Sequence, residues 1–167
     1  MENNTLGKTY LMELEAEAPA SRKCLERIPA ELFGWKPHEK SMPMGYLALI
    51  VAEVPRWIST AIEESEINFG TFKRGEAKTP VELVAYFDEN MKKARAVLEK
   101  VTDAQLQEMF SLKNKEQLLM SSTKQETVGS SINHMVHHRG QLTVYMRLNN
   151  IAVPSIYGPS ADDKTWG

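Results

Sequence analysis

The segment from Thr123 to Leu148 reads TKQETVGSSINHMVHHRGQLTVYMRL, and it contains three of the four histidines of the chain. It opens on a possible capping box, in which Thr123 and Glu126 satisfy backbone amides that the first turn of a helix leaves unbonded. From there the sequence predicts one long helix that runs to about Asn149.

Two histidines, His134 and His138, lie four residues apart and therefore share one face of this predicted helix. Gln141 and Tyr145 continue the same stripe at about 100° per residue. We expect the stripe to face inward, toward a core or a pocket, because apolar side chains flank it on both sides. These are Met135, Leu142 and Met146 on one side and Val144 and Leu148 on the other.

His137 lies about 60° off the stripe, so we expect it at the edge or on the surface. The opposite face of the helix is half apolar and consists of Ile132, Val136, Arg139 and Thr143. A helix covered on two sides fits either a subunit interface or central burial within its own bundle.

The histidine pair has two interpretations. Two imidazoles one helical turn apart can both reach a divalent ion at roughly 2.0–2.1 Å, and imidazole suits zinc, nickel, iron or copper. The alternative is a pair of half-buried histidines that hydrogen-bond to backbone or side chains. A metal site needs a third ligand from another segment, because this helix lacks the internal glutamate of the H-E-x-x-H metalloproteases.

Three further segments show helical periodicity. The first runs from about Lys8 to Ile28 and contains Pro19, which should kink it or split it in two. The second runs from about Met44 to Glu64 and should bend at Pro55. The third runs from Thr79 to about Lys100 and starts on a capping box with proline at the first helical position.

The remaining segments carry weaker signals. Asp103 to Phe110 is compatible with a short helix, and Ser111 to Ser122 with a loop or a short extended piece. The tail from Ile151 to Gly167 should be irregular, because proline and glycine interrupt it. Four long helices without a convincing alternating strand predict an all-α four-helix bundle, formed by a single domain of residues 1–167.

Composition narrows the function classes. A net charge of −2 and a pI of about 6.1 argue against nucleic acid and against an anionic membrane surface as partners. The longest apolar run, Tyr46 to Ala52, is too short to span a membrane. Cys24 is the one cysteine, and we expect it to be a buried apolar residue and not a nucleophile. With no disulfide possible and no expected signal peptide, the sequence predicts a cytoplasmic protein.

The stretch from Asn133 to Leu148, with Val153-Pro154 and Tyr157–Asp162 after it, closely resembles the C-terminal signature of the DinB family. The segments Trp35–Met42 and Leu47–Trp57 resemble the N-terminal half of that family. The resemblance covers nearly the whole chain. It implies a four-helix bundle with up-down-down-up connectivity, often a homodimer, and a divalent-metal site built from three histidines.

The resemblance implies that His134 and His138 are two of the three metal ligands. Family members commonly carry the third histidine on the second helix, where the alignment places Ile50, a residue that cannot ligate a metal. Glu53 lies one turn further along, and its carboxylate is an acceptable zinc ligand. The alternative for Glu53 is a hydrogen bond or an ion pair with an arginine. His38 is another candidate, although we expect it to brace its loop.

Asp162 and Asp163 are the remaining candidate ligands, if the tail folds back onto the helices. No catalytic residue beyond the ligand positions is identified from the sequence.

Two functions remain open. By resemblance to bacillithiol and mycothiol S-transferases and to a mycothiol-dependent maleylpyruvate isomerase, the chain is a zinc- or nickel-dependent enzyme. It would transfer a low-molecular-weight thiol to a small electrophile, or catalyse a hydrolysis. Gln141 and Tyr145 would then support the ligands or contact the substrate.

The alternative is a metal-free, non-catalytic protein that binds a small apolar molecule or acts as a stress-response module. In both cases we expect a pocket bordered by Ile50, Trp57, Gln141 and Tyr145. Without a metal, Ile50 would fill the volume that a histidine and its ion vacate. A role in DNA binding is not expected, because the chain has no basic stripe.

Overall fold

The computed structural model describes residues 3–166, so Met1, Glu2 and Gly167 of the predicted domain lie outside the described residues. Within that range the chain is predominantly helical and also contains a small sheet. The elements are α1 (Thr5–Glu26), α2 (Met44–Glu63), β1 (Glu66–Asn68), α3 (Pro80–Leu98), α4 (Asp103–Leu106), β2 (Met109–Asn114), β3 (Gln117–Thr123) and α5 (Lys124–Leu148).

The four long helices begin and end close to the predicted residues. The Thr79 hydroxyl accepts from the Glu82 amide at 3.2 Å, while the Glu82 carboxylate accepts from the Lys78 amide, one residue earlier than in a full capping box. The predicted box at Thr123 and Glu126 is complete, with reciprocal bonds of 3.1 and 2.9 Å. Both caps form between residues within one helical turn, which is why the sequence predicted them.

Helix α1 continues through Pro19, so of the two predicted outcomes the split is excluded and the kink stays a prediction. Pro19 is exposed, and it has no N–H to donate to the carbonyl of Glu15, four residues earlier. Leu14 and Leu25, on either side of the proline, are fully buried in one core. Burying each such side chain contributes roughly 1.5–3 kcal/mol, which offsets the cost of the lost helical hydrogen bond.

The prediction of an all-α chain is wrong in one respect, because three strands form a sheet in the order β1-β2-β3. β1 pairs parallel with β2, and β2 pairs antiparallel with β3. Ile67 of β1 and Phe110 of β2 pack on Ala61, so the sheet lies against the C-terminal part of α2. β2 and β3 overlap Ser111–Ser122, for which an extended piece was one of the two alternatives. The pairing of β1 with β2 was missed, because α3 and α4 separate these strands along the chain and pairing over that distance leaves no local pattern.

Each long helix packs against two others. α2 packs against α3 and α5, α1 packs against the same two helices, and α1 and α2 touch each other only lightly. In cross-section through the four long helices, α1 therefore lies diagonally opposite α2, and α3 lies diagonally opposite α5. None of the described helices combines the length and the apolar character needed to cross a bilayer.

Helix α5 is buried along a line that passes through Ile132, Met135, Arg139 and Leu142. The face opposite the histidine stripe is thus packed within the chain itself. The expectation that the stripe faces inward is only partly met. His138 is buried, Gln141 and Tyr145 are half-buried, and His134 is exposed. Two apolar residues expected to flank a buried stripe, Val144 and Leu148, are exposed as well.

Cys24 is fully buried, as predicted, and burial raises the pKa of its thiol to about 11. At pH 8 a shift from the usual value near 9 lowers the thiolate population about a hundredfold. We expect an aromatic disulfide reagent to modify the native thiol at least about a hundredfold more slowly than the thiol of the denaturant-unfolded chain. Stopped-flow absorbance measures both rates. Equal rates in the two states would contradict the buried position.

Candidate functional site

A cavity of about 300 Å³ lies between α2, the sheet and α5, and we call it the sheet-side cavity. Ile50 and Trp57 border it from α2, and His134 borders it from α5. Most of the wall is apolar, with aromatic side chains prominent. The other lining residues are Ile67, Phe69, Phe72, Arg74, Phe110, Leu112, Met120, Thr127, Ser130 and Ser131.

The two histidines face each other through the same ring atom. The Nε2 atoms of His134 and His138 are 2.7 Å apart, and His138 Nδ1 lies 2.8 Å from the side-chain oxygen of Gln141. An amide oxygen only accepts, so a neutral His138 ring that bonds to it carries its proton on Nδ1 and presents a lone pair at Nε2. His134 Nε2–H then donates to that lone pair. Gln141 thus fixes the tautomer of His138, in the manner of an outer-shell partner of a metal ligand.

His134 lies at the margin of the sheet-side cavity, where the Trp57 ring meets it edge-on at a centroid distance of 5.2 Å. The residue as a whole is exposed, yet partial desolvation of the ring lowers the pKa of His134, and the neighbouring His138 and His137 lower it further. The imidazole is therefore neutral near pH 7. With its Nε2–H directed at His138, the neutral ring keeps one lone pair, on Nδ1, that can accept a hydrogen bond.

The residues present do not complete the metal site that the resemblance implies. Among residues 3–166, no cluster of three histidine, cysteine or carboxylate side chains lies close enough to hold an ion. Ile50, 6% exposed, occupies the wall of the cavity that His134 also borders. The pair thus offers two imidazole donors, with an apolar side chain on the neighbouring helix where the third was expected.

Glu53, the candidate replacement ligand, is 1% exposed and engaged elsewhere. Its Oε1 accepts from the Gly75 amide at 2.8 Å and from the Tyr86 hydroxyl at 3.0 Å. Arg56 Nη1 lies 3.7 Å from the same oxygen, so the alternative of hydrogen bonds beside an arginine describes this carboxylate. Glu53 joins α2 to the segment that precedes α3.

The other predicted site residues have separate roles. Gln141 supports His138, and the Tyr145 ring packs edge-on against Trp35 at 5.6 Å. These two do not border the sheet-side cavity, in contrast to Ile50 and Trp57. His38 braces its loop, because its Nδ1 accepts from the Lys40 amide at 3.1 Å.

The two tail aspartates bind within the tail and at the end of α5. Asp162 pairs with Arg147, and Asp163 accepts from the Ser155 amide at 3.2 Å and from Thr165. Hydrogen bonds from Thr165 and Ser155 lower the pKa of Asp163 to about 2. Both carboxylates therefore hold the tail in place.

Sequence reasoning missed the half of the cavity that the sheet and the β1–α3 connection supply. Phe69, Phe72 and Arg74 lie in that connection, and Phe110 and Met120 come from the hairpin. The available signal was the presence of two phenylalanines in an otherwise polar connection, which is unusual for a solvated loop. Their position in one cavity wall could not be predicted, because it depends on a sheet that the sequence did not reveal.

The chain is thus a helical protein with paired histidines on its last long helix, beside a small apolar cavity. The model of the DinB family matches residues 1–166, and the chain belongs to that family.

Two solved structures share the fold. The DinB-like protein YjoA of Bacillus subtilis has a TM-score of 0.68 at 20% identity, over 94% of this chain and 99% of that chain. A DinB-like protein of Bacillus cereus ATCC 10987 has a TM-score of 0.68 at 17% identity, over 90% and 97%. Among curated proteins, the uncharacterized protein YrdA of Bacillus subtilis (strain 168) is 53% identical over 32 residues. That match spans 19% of this chain and 19% of YrdA.

Proposed function

We propose that this DinB family protein binds a small, mostly apolar molecule in the sheet-side cavity. The observation that carries the proposal is the cavity itself, about 300 Å³ of largely apolar and aromatic wall with few polar groups at its margin. This composition is typical of small-molecule sites. The neutral imidazole of His134 supplies a hydrogen-bonding group for orientation. No three-ligand metal centre is required for such binding.

We expect a neutral aromatic probe, indole, to bind the cavity and to shift the methyl resonances of Ile50 and Met120 in carbon–proton NMR spectra. Ile50→Phe adds volume inside the cavity and should weaken indole at least about tenfold. Leu49→Phe makes the same change one position away, outside this cavity, and should leave the affinity unchanged. Binding that survives Ile50→Phe, or shifts confined to other residues, would refute the proposal.

The second candidate is a divalent-metal-dependent thiol S-transferase or hydrolase. Two observations favour it: the Nε2 atoms of His134 and His138 converge, and Gln141 orients one of the rings. Ile50 weighs against it, since two imidazoles alone hold an ion loosely. Elemental analysis of protein purified without tag or chelator discriminates, because about one tightly held zinc or nickel per chain would favour this candidate. A low-molecular-weight thiol would then be the co-substrate to test.

We further propose an up-down-down-up order of the four long helices, a homodimer and a cytoplasmic location. The diagonal placement of α1 and α2 supports the helix order. The exposed Val144 and Leu148 on α5 supply apolar surface that a second copy can cover. Light scattering after size-exclusion chromatography measures the mass of the assembly.

A further inference from the structure

We propose that the ligand of the sheet-side cavity is a small organic monoanion, with an apolar body inside the cavity and one carboxylate-like group paired with Arg74. This inference rests on the proposed function and names the ligand class. It follows from the charge of the lining, from the partners of Arg74 and from the way the backbone around Arg74 is held.

The lining of the sheet-side cavity is mostly apolar, and the charge that it carries is positive. Arg74 is the one charged residue among the described residues that border the cavity, and no carboxylate borders it there. The aromatic residues Trp57, Phe72 and Phe110 form much of the wall. Low-dielectric walls strengthen the attraction between a cation at the margin and an anion placed beside it. A second cation at this position would be repelled.

Arg74 has an aromatic partner but no ion pair. Its guanidinium contacts the Tyr46 hydroxyl and lies 5.3 Å from the centre of the Tyr46 ring. Among the described residues, no carboxylate comes within 4 Å of its nitrogen atoms. The nearby Glu53 is satisfied by the Gly75 amide, the Tyr86 hydroxyl and Arg56. Arg74 is therefore available to an external anion.

The backbone on both sides of Arg74 is held on α2. Arg56 donates to the Lys73 carbonyl at 2.8 Å, and the Gly75 amide donates to Glu53 at 2.8 Å. A Cβ atom at Gly75 would clash with the Tyr86 ring, so the close approach requires glycine here. A fixed backbone reduces the conformational entropy that Arg74 loses when it binds an anion.

The volume limits the size of the anion. About 300 Å³ is at the lower end of the range for small-molecule sites, which fits an aryl or branched aliphatic acid and is too small for a nucleotide. One guanidinium matches one carboxylate through two parallel hydrogen bonds. The other polar residues of the lining are Thr127, Ser130, Ser131 and His134.

The test compares three probes that share one body: 4-phenylbutanoate, 4-phenylbutanamide and 4-phenylbutylamine. Calorimetry at constant ionic strength should show the acid binding about tenfold more tightly than the amide, and the amine binding most weakly. Arg74→Met should abolish the preference for the acid, because the acid then binds no more tightly than the amide. Lys92→Met removes the same charge from an exposed position on α3 and should preserve the preference.

Equal affinities for acid and amide, or a preference that persists in Arg74→Met, would overturn the assignment of an anion. Failure of all three probes would overturn it as well. Binding of indole is a separate outcome, so the proposed function can stand when the anion proposal falls. Arg74→Gln serves as a second variant if the methionine variant does not fold.

Discussion

Replacing Arg139 with alanine is expected to lower the free energy of unfolding by about 3–5 kcal/mol. Arg139 is 1% exposed, and its Nη1 lies 2.6 Å from a carboxylate oxygen of Glu17. Its Nη2 donates to the Tyr157 hydroxyl at 2.9 Å, and that hydroxyl donates to Glu17 at 3.0 Å. The group joins α5, α1 and the tail. Removal of the cation leaves a largely buried carboxylate uncompensated.

Urea denaturation followed by circular dichroism measures this loss. Arg22→Ala is the matched control, since Arg22 pairs with Glu26 and Asp88 at the surface and should cost under about 1 kcal/mol. The double variant Arg139→Met with Glu17→Leu removes both charges and should recover much of the stability. A cost for Arg139→Ala no greater than that of Arg22→Ala would contradict the buried ion pair.

Introducing histidine at Ile50 is expected to create a tight divalent-metal site in a protein that binds zinc and nickel weakly. Ile50 borders the same cavity as His134, and a third imidazole there would join the pair on α5. Residues that only hydrogen-bond to a metal ligand typically change metal affinity about 10–100-fold. A residue that binds the ion directly should have a larger effect, so we expect Ile50→His to strengthen zinc binding by more than about a hundredfold. Competition titration with a chromophoric chelator measures both affinities.

Two variants control this experiment. Ile50→Phe places a ring of similar size without a donor and should bind no more metal than the parent. Ile50→His combined with His138→Ala should lose the gain, because one of the three ligands is gone again. If Ile50→His leaves zinc affinity unchanged while the protein stays folded, the inferred position of Ile50 relative to the histidine pair is wrong. Tight metal binding by the parent would contradict the expected weak starting point.

Features that depend on neighbours in the chain were predicted well. The capping threonines, Thr79 and Thr123, act on amides within three residues, so their side chains and targets are visible together in the sequence. The spacing of His134 and His138 is also local, because a helix brings residues four apart onto one face. The burial of Cys24 followed from its residue type.

Features that depend on distant partners were not predictable in the same way. Arg139 was placed on a half-apolar face, but its partner Glu17 lies 122 residues away, and nothing local links the two. In the sequence, Arg74 and Phe72 are part of a connection between helices. In the structure, the packing of β1, β2 and α2 places them at one cavity. The inward direction of the histidine stripe was misjudged, because the apolar residues beside it include exposed ones.

The long helices and the one-turn spacing of His134 and His138 followed from the sequence, because periodicity and spacing are properties of a single segment. Membership of the DinB family followed from the resemblance of whole motifs. The packed structure places a sheet on one side of a cavity and Ile50 beside His134 in its wall, and no single segment predicted either arrangement. It also decided that Glu53 is occupied by hydrogen bonds. The physical reason is that burial and polar satisfaction depend on which distant segments meet, and that is set by packing of the whole chain.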